Sequence, residues 1–441
     1  MKNKIAILLL ILFFQNVFSQ QGFQFDKNVK KIAIPFQLIN NLIFIPIQVN
    51  GVELNFLLDT GVKETILFGL NDLEEINFKN SETIKMKGFG YNDFVDGIKS
   101  RNNRLIVNGF LDYNHEVYIV LDQSFNFSSQ VGIPVNGIIG YNFFENYLVE
   151  TDYERKKIFV YKETEKIRKK IIKNYKSIDI NIENGKPYIK VQVQLKERII
   201  ETKMLLDNGS SDAIWLFENQ KNKIEIPEQN IDDYLGRGFS GDIFGKRSRI
   251  DKLKIDNFEF INPITSFPDS LSVKNSNLVN NREGSIGSEI LMRFDIIYDY
   301  PNSKIYFKKN NKFNQPFNYN MSGIEIQHEG LQWVKEEEEL KKNPFGTISF
   351  DLAEERVVNL KYKFSLKPIF KINSIRKNST AEISGLQKDD IIIAINQKDT
   401  YKYSLQEINE ILKSEDGKWI YITIERNNKI IKFKFQLKKL L

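Results

Sequence analysis

The 441-residue chain has no cysteine, and that absence excludes disulfides, thiol catalysis, Cys-ligated zinc and acylation at a lipoprotein Cys. It has only two histidines, His115 and His328. A His-rich metal site is therefore excluded, and a Ser-His-Asp triad has little to draw on. Charge of one sign is also missing: 63 Lys and Arg face 57 Asp and Glu, a net +6. Spread over this length, that is no nucleic-acid footprint. No uncharged apolar run reaches the roughly 20 residues a membrane-spanning helix needs. What remains for chemistry is carboxylates and hydroxyls. Apolar residues make up 41 % and charged residues 27 %, enough apolar content for ordinary folded cores. The length suggests two to four domains.

The longest apolar run lies at the N-terminus. Lys2 and Lys4 precede ten uncharged apolar residues, Ile5 to Phe14. A polar exit follows, with Val17 and Ser19 suited to the −3 and −1 positions of a cleavage site. This is the form of a secretory signal peptide over residues 1–19. The mature protein is expected to be exported, periplasmic or extracellular, without a membrane span once the signal is removed.

The chain then repeats itself. Ile45–Phe68 (IPIQVNGVELNFLLDTGVKETILF) and Ile189–Phe217 (IKVQVQLKERIIETKMLLDNGSSDAIWLF) each read strand, turn, apolar strand, Asp-x-Gly, strand. Asn50-Gly51 is a two-residue hairpin signal in the first copy. The acids are Asp59 and Asp207. Gly88-Phe89-Gly90 begins 29 residues after the first acid, and Gly236-Arg237-Gly238 begins 29 after the second. Gly97 and Gly245 each lie 38 residues on. Gly137-Ile138-Ile139-Gly140 and Gly284-Ser285-Ile286-Gly287 end 81 and 80 residues after their acids. Similar tails follow, Tyr147–Tyr161 and Phe294–Phe307. Each copy alternates with period two and is broken by Gly, Asn and Asp turns, the pattern of a β-lobe. Lobe 1 spans 22–165 and lobe 2 spans 166–310. A pseudo-two-fold axis between such lobes brings equivalent residues together, so Asp59 and Asp207 form a carboxylate pair. Two carboxyls a few ångströms apart cannot both ionise easily. The ionised one can take a proton from water while the protonated one donates to a carbonyl.

Leu57-Leu58-Asp59-Thr60-Gly61, with Ile138-Ile139-Gly140 downstream, resembles the aspartic proteases, particularly the retropepsin-like group. The resemblance covers roughly residues 30–310. It implies a two-lobed, mainly β endopeptidase that is complete as a monomer and acts on extended polypeptides. It assigns catalysis to Asp59 and Asp207 and the active-site loops to Thr60, Gly61, Asn208 and Gly209. It also places a substrate-covering flap near Gly88, Gly90 and Tyr91, with Phe239 at the matching position of lobe 2. No cofactor or metal is implied. The second triplet departs from the pattern: Asn208 stands where the family has a Thr or Ser whose hydroxyl crosses to the opposite loop. That departure keeps a second reading in view, an inactive protease fold that holds peptides or acts as a scaffold. Ser210 and Ser211 are read as turn formers, and His115 and His328 as surface side chains.

The C-terminal part reads differently. Residues 311–343 are read as a connector, with the charged run from Lys335 to Lys342 as solvated helix or linker. Residues 344–441 form one small module. A strand is expected over Ile369–Ile375 and a helix capped by Ser404 with Glu407. Leu405, Ile408, Ile411 and Leu412 share one face of that helix. Strands are expected over Trp419–Glu425 and Lys429–Gln436. Ser384-Gly385-Leu386, Asp390-Ile391 and Ile395-Asn396, ahead of that helix, resemble a PDZ domain, a small β-rich α+β fold. Thr380, Asp389 and Gln397 depart from the family's Pro, Gly and Gly. The resemblance implies capture of peptide termini by β-augmentation, with Pro344-Phe345-Gly346-Thr347-Ile348 as the carboxylate loop.

Overall fold

The computed structural model describes residues 22–26, 29–69, 76–86, 94–122, 127–162, 165–238, 241–274, 278–338 and 361–441. The architecture is mainly β, and the chain divides into two compact units. One holds both copies of the repeat up to Tyr319, and the other runs from Asn320 to Lys439.

The two copies of the repeat fold the same way. In the first, Leu42–Val49 and Val52–Leu58 form a hairpin with Val49 opposite Val52. Its turn residues, Asn50 and Gly51, both have positive φ (49° and 99°), as the Asn-Gly signal requires. The short strand Gly137–Ile139 then lies parallel to the acid-bearing strand and antiparallel to Thr65–Leu67. In the second copy, Lys186–Leu195 pairs with Arg198–Asp207, and Arg282–Gly287 runs parallel to the latter and antiparallel to Ile214–Leu216. Each downstream Gly-flanked segment therefore sits beside its own acid loop. Among the described residues the first lobe's sheet has nine strands and the second's has ten.

A third sheet of six described strands joins the lobes. Its centre is the antiparallel pair Leu148–Asp152 and Phe294–Asp299, with Val149 opposite Tyr298 and Thr151 opposite Ile296. These two pairings exchange under the pseudo-two-fold, which makes Thr151 the counterpart of Tyr298. The pair buries the apolar side chains Leu148, Val149, Ile296 and Ile297 with Tyr298, and beside them the polar Thr151, Asp295 and Asp299.

His115 corrects its sequence reading. It is buried in lobe 1, with Nδ1 2.7 Å from Asp112 Oδ2 and Nε2 2.7 Å from Thr65 Oγ1. All three side chains are buried, so the chain serves as an internal polar brace rather than an exposed site. His328 is half-buried on a strand beside Phe370.

The second unit contains the expected helix, Leu405–Leu412, with a complete capping box between Ser404 and Glu407. Leu405, Ile408 and Leu412 are buried and Ile411 is partly so. The strands Trp419–Arg426 and Lys429–Gln436 also form where expected. The reading of 311–343 as a connector needs correction. Ile324–Glu338 is a strand paired with Lys361–Ile375, so the β-structure of this unit begins well before residue 344. The first half of the charged run ends that strand. Pro344–Ile348 lie outside the described residues. Asp389 and Gln397 have φ of 70° and 68°. That is the left-handed region, which explains why a glycine is the usual occupant there. Asp390 is buried and held by both nitrogens of an Arg426 fork, at 2.6 and 2.7 Å.

Candidate active site

The two acids end apolar strands. Phe56, Leu57 and Leu58 precede Asp59, and Met204, Leu205 and Leu206 precede Asp207; all six are buried. Rigid, dry strands therefore carry each loop to the junction of the lobes. Asp59 itself is buried, and its backbone N–H donates to Ile139 O at 2.9 Å. The Gly61 N–H donates to Asp59 Oδ1 at 2.6 Å, and the Gly209 N–H to Asp207 Oδ1 at 3.1 Å.

The structure brings the two carboxyls together. A methyl on Gly61 would lie 2.7 Å from Asp207 Oδ1 and 3.0 Å from Asp59 Oδ1. One on Gly209 would overlap the Asp59 carboxyl outright. Each loop's glycine thus packs against the other loop's acid, and no larger residue fits at either place.

Thr60 locks the loops from the lobe 1 side. Its hydroxyl donates to Leu206 O at 2.7 Å and accepts from the Asn208 N–H at 3.0 Å, and it is buried. Asn208 does not return the gesture. Its Oδ1 accepts from the Tyr298 hydroxyl at 2.9 Å, and its carbonyl accepts from Ser288 Oγ at 2.9 Å. Its Nδ2 has no hydrogen-bond partner. Neither seryl hydroxyl after the second acid hydrogen-bonds Asp207. Instead Ser210 O accepts from the Ser288 N–H and Ser211 O from Asn41 Nδ2.

The environment of the pair is lopsided. Burial and the like charge of Asp207 push the Asp59 carboxyl up to about 8. Burial also raises Asp207, but the nearby cations Arg282 and Lys186, the Gly209 N–H and a hydrogen bond from Asp59 all oppose it. The proton therefore belongs on Asp59 and the negative charge on Asp207. Both cations come from lobe 2. Continuing the hairpin registers by two residues sets Lys186 opposite Asp207 and, in lobe 1, Leu42 opposite Asp59. Arg282 lies two residues before Gly284, where lobe 1 has the buried Val135 before Gly137. Arg282 is buried, donates to Gly284 O at 3.1 Å and stacks on Phe217. Burial lowers the pKa of both cations.

Sequence reasoning missed Lys186, Arg282 and Tyr298. Only the superposition of the two hairpins, with Lys against Leu, offered a signal for the first. Of the flap candidates, Gly88, Gly90 and Tyr91 lie outside the described residues, as does Phe239. The flanks of that segment do pair, with Met86 opposite Val95. Among the described residues no group of three or more carboxylates and imidazoles gathers that would hold a metal ion.

Each lobe also holds a polar network after its acid loop, buried in lobe 1 and partly buried in lobe 2. Lobe 1 has Thr65, His115 and Asp112. Lobe 2 has Asp212, which accepts from Trp215 Nε1 at 2.7 Å, Ser266 Oγ at 2.8 Å and Arg247 Nη1 at 2.8 Å. Arg247 overcomes burial and holds Asp212 below the usual carboxylate range.

Two family models agree with these features. Residues 45–143 match the family model described as aspartyl protease, and residues 371–426 match the model of the PDZ domain. A curated protein of Caenorhabditis elegans, "Probable 26S proteasome non-ATPase regulatory subunit 9", is 32 % identical over 88 residues. That stretch is 20 % of this chain and 43 % of the relative, so the chain spans less than half the length of the curated protein it matches. Among solved structures, the aspartic proteinase from Irpex lacteus aligns over 65 % of this chain and 99 % of its own, at 11 % identity and a TM-score of 0.41. The chain thus combines an aspartyl protease-like domain with a PDZ domain.

Proposed function

We propose that this chain, an aspartyl protease-like domain joined to a PDZ domain, is an exported aspartic endopeptidase. Asp59 and Asp207 hold one water between them. Asp207, kept ionised by Lys186 and Arg282, takes a proton from that water. Asp59, kept protonated by burial and by its neighbour's charge, donates to the carbonyl oxygen of the scissile amide. The attack needs no covalent intermediate. The substrate is an extended polypeptide, the active species is a monomer, and the PDZ domain binds peptide termini that recruit substrates or partners. Export rests on the leader-like residues 1–19.

The observation that carries this reading is the meeting of two carboxyls, Asp59 buried and Asp207 partly so, with two cations of the second lobe beside Asp207. The test is incubation of the mature protein with a mixed peptide library from about pH 3 to about pH 8, beside Asp59→Asn. Cleavage by the wild type that disappears in the variant is the expected result. Binding of peptides without cleavage at any pH would replace the enzyme by a peptide receptor, the reading that the Asn208 departure favours.

A further inference from the structure

We propose that Tyr298 is a positioning residue for the carboxyl pair, and that Tyr298 and Asn208 together replace the hydroxyl missing from the second acid loop.

The case starts from symmetry. Thr60 and Asn208 occupy equivalent places, one residue after each acid. Thr151 and Tyr298 also occupy equivalent places, on the two central strands of the sheet that joins the lobes. Lobe 1 therefore combines a small hydroxyl residue in the loop with a small residue behind it. Lobe 2 combines a larger amide in the loop with a long phenol behind it. Both members of the pair changed, in complementary directions.

The contacts explain why. Thr60 bonds across to the second loop through Leu206 O and the Asn208 N–H. Asn208 cannot mirror this with a carboxamide that points away from the first loop. Its side chain turns back into the protein, and the Tyr298 hydroxyl donates to its Oδ1 at 2.9 Å. Ser288 Oγ holds the Asn208 carbonyl at 2.9 Å. Asn208, Tyr298 and Ser288 are each fully buried, so water cannot substitute for any of these donors. The loop is thus gripped across the lobe junction by Thr60 and from behind by Tyr298. Asp207 and Gly209 flank the residue so held, and the Gly209 N–H meets Asp207 Oδ1 while its Cα abuts the Asp59 carboxyl. The anchor bears directly on the spacing of the two acids.

Two consequences separate positioning from mere packing. Loss of the anchor loosens the contact between the acids, so the high titration of Asp59 should relax toward the ordinary carboxylate range. A threonine at 208 should make the anchor unnecessary, because its hydroxyl can cross to the first loop as Thr60 does to the second.

The test uses full-length mature protein in four forms: wild type, Tyr298→Phe, Asn208→Thr and the double variant. Carboxyl titrations are followed by carbon-13 NMR, and folding is checked by circular dichroism. Tyr298→Phe should lower the upper titration of the pair, and the double variant should restore it. The kinetic arm rests on the peptidase reading. There, Tyr298→Phe should reduce kcat by about ten- to a hundredfold with KM little changed, and the double variant should regain most of the loss. If Tyr298→Phe does not fold, Asn208→Leu, a side chain of similar shape without the acceptor, breaks the same hydrogen bond and should lower the upper titration in the same way; an unaltered titration there overturns the proposal equally. A folded Tyr298→Phe with an unaltered upper titration overturns the proposal, and so does a double variant that titrates like Tyr298→Phe alone. Absence of cleavage in the wild type would count against the peptidase reading only, since the titrations still decide the role of Tyr298.

Discussion

The two lobes share strand order, acid loops and glycines, yet they treat their acids differently. Lobe 1 surrounds Asp59 with neutral groups: Thr60 in the loop, Leu42 opposite and Val135 upstream of the supporting strand. Lobe 2 gives Asp207 an amide neighbour, the cation Lys186 and the buried cation Arg282. A symmetric pair of acids must share its proton evenly. Here the difference in charge chooses which acid keeps it. Duplication supplies the geometry, and divergence between the copies assigns the roles.

The comparison can be broken most completely at the acids. Asp59→Asn or Asp207→Asn should each abolish cleavage, by about a thousandfold or more in kcat, read on any peptide the wild type cuts. Next comes the brace behind the second loop. Arg247→Met leaves the part-buried Asp212 and Asp233 without the cation they share and should cost about 2–3 kcal/mol in denaturant unfolding. The polar brace in lobe 1 centres on His115, so His115→Leu tests whether an imidazole-centred network costs less to break than a guanidinium-centred one.

The third prediction concerns pH. Asp59 titrates at about 8 in the folded protein, against an ordinary carboxylate value of about 4 when unfolded. Its contribution to stability is therefore complete below the unfolded value and is lost as pH rises through the folded one. Thermal unfolding should fall in midpoint from about pH 4 to about pH 8, and Asp59→Asn should flatten that decline. The smallest effect belongs to Lys186. Lys186→Met removes a cation that stabilises the ionised pair, so both limbs of the pH–activity profile should move upward by roughly half to one pH unit. Lys186→Arg should not move them.

The repeat, the acid pair and the small C-terminal domain were legible because each is written in local pattern. Asp-x-Gly after an apolar strand, Asn-Gly at a hairpin and Ser-x-x-Glu before a helix need only neighbouring residues. What escaped depends on partners distant in the chain. Tyr298 reaches Asn208 from 90 residues further along the same lobe, and His115 is buried with Asp112 and Thr65 on its two ring nitrogens. Arg282 is buried only because distant segments of the second lobe close around it. Ile324–Glu338 was hidden for another reason. Its charged end masks a strand whose register is set by Lys361–Ile375.

The sheet that joins the lobes carries a consequence for how the chain is made. Its central neighbours, Val149 and Tyr298, come from the ends of successive repeats. The pairing cannot form until nearly all of the second lobe has been synthesised, and it closes a long loop whose entropy must be overcome first. The first acid therefore waits, without its partner, through most of translation. A cell would meet a competent pair of carboxyls only after the final strands have docked, so the order of folding itself delays activity, independently of any inhibitory segment.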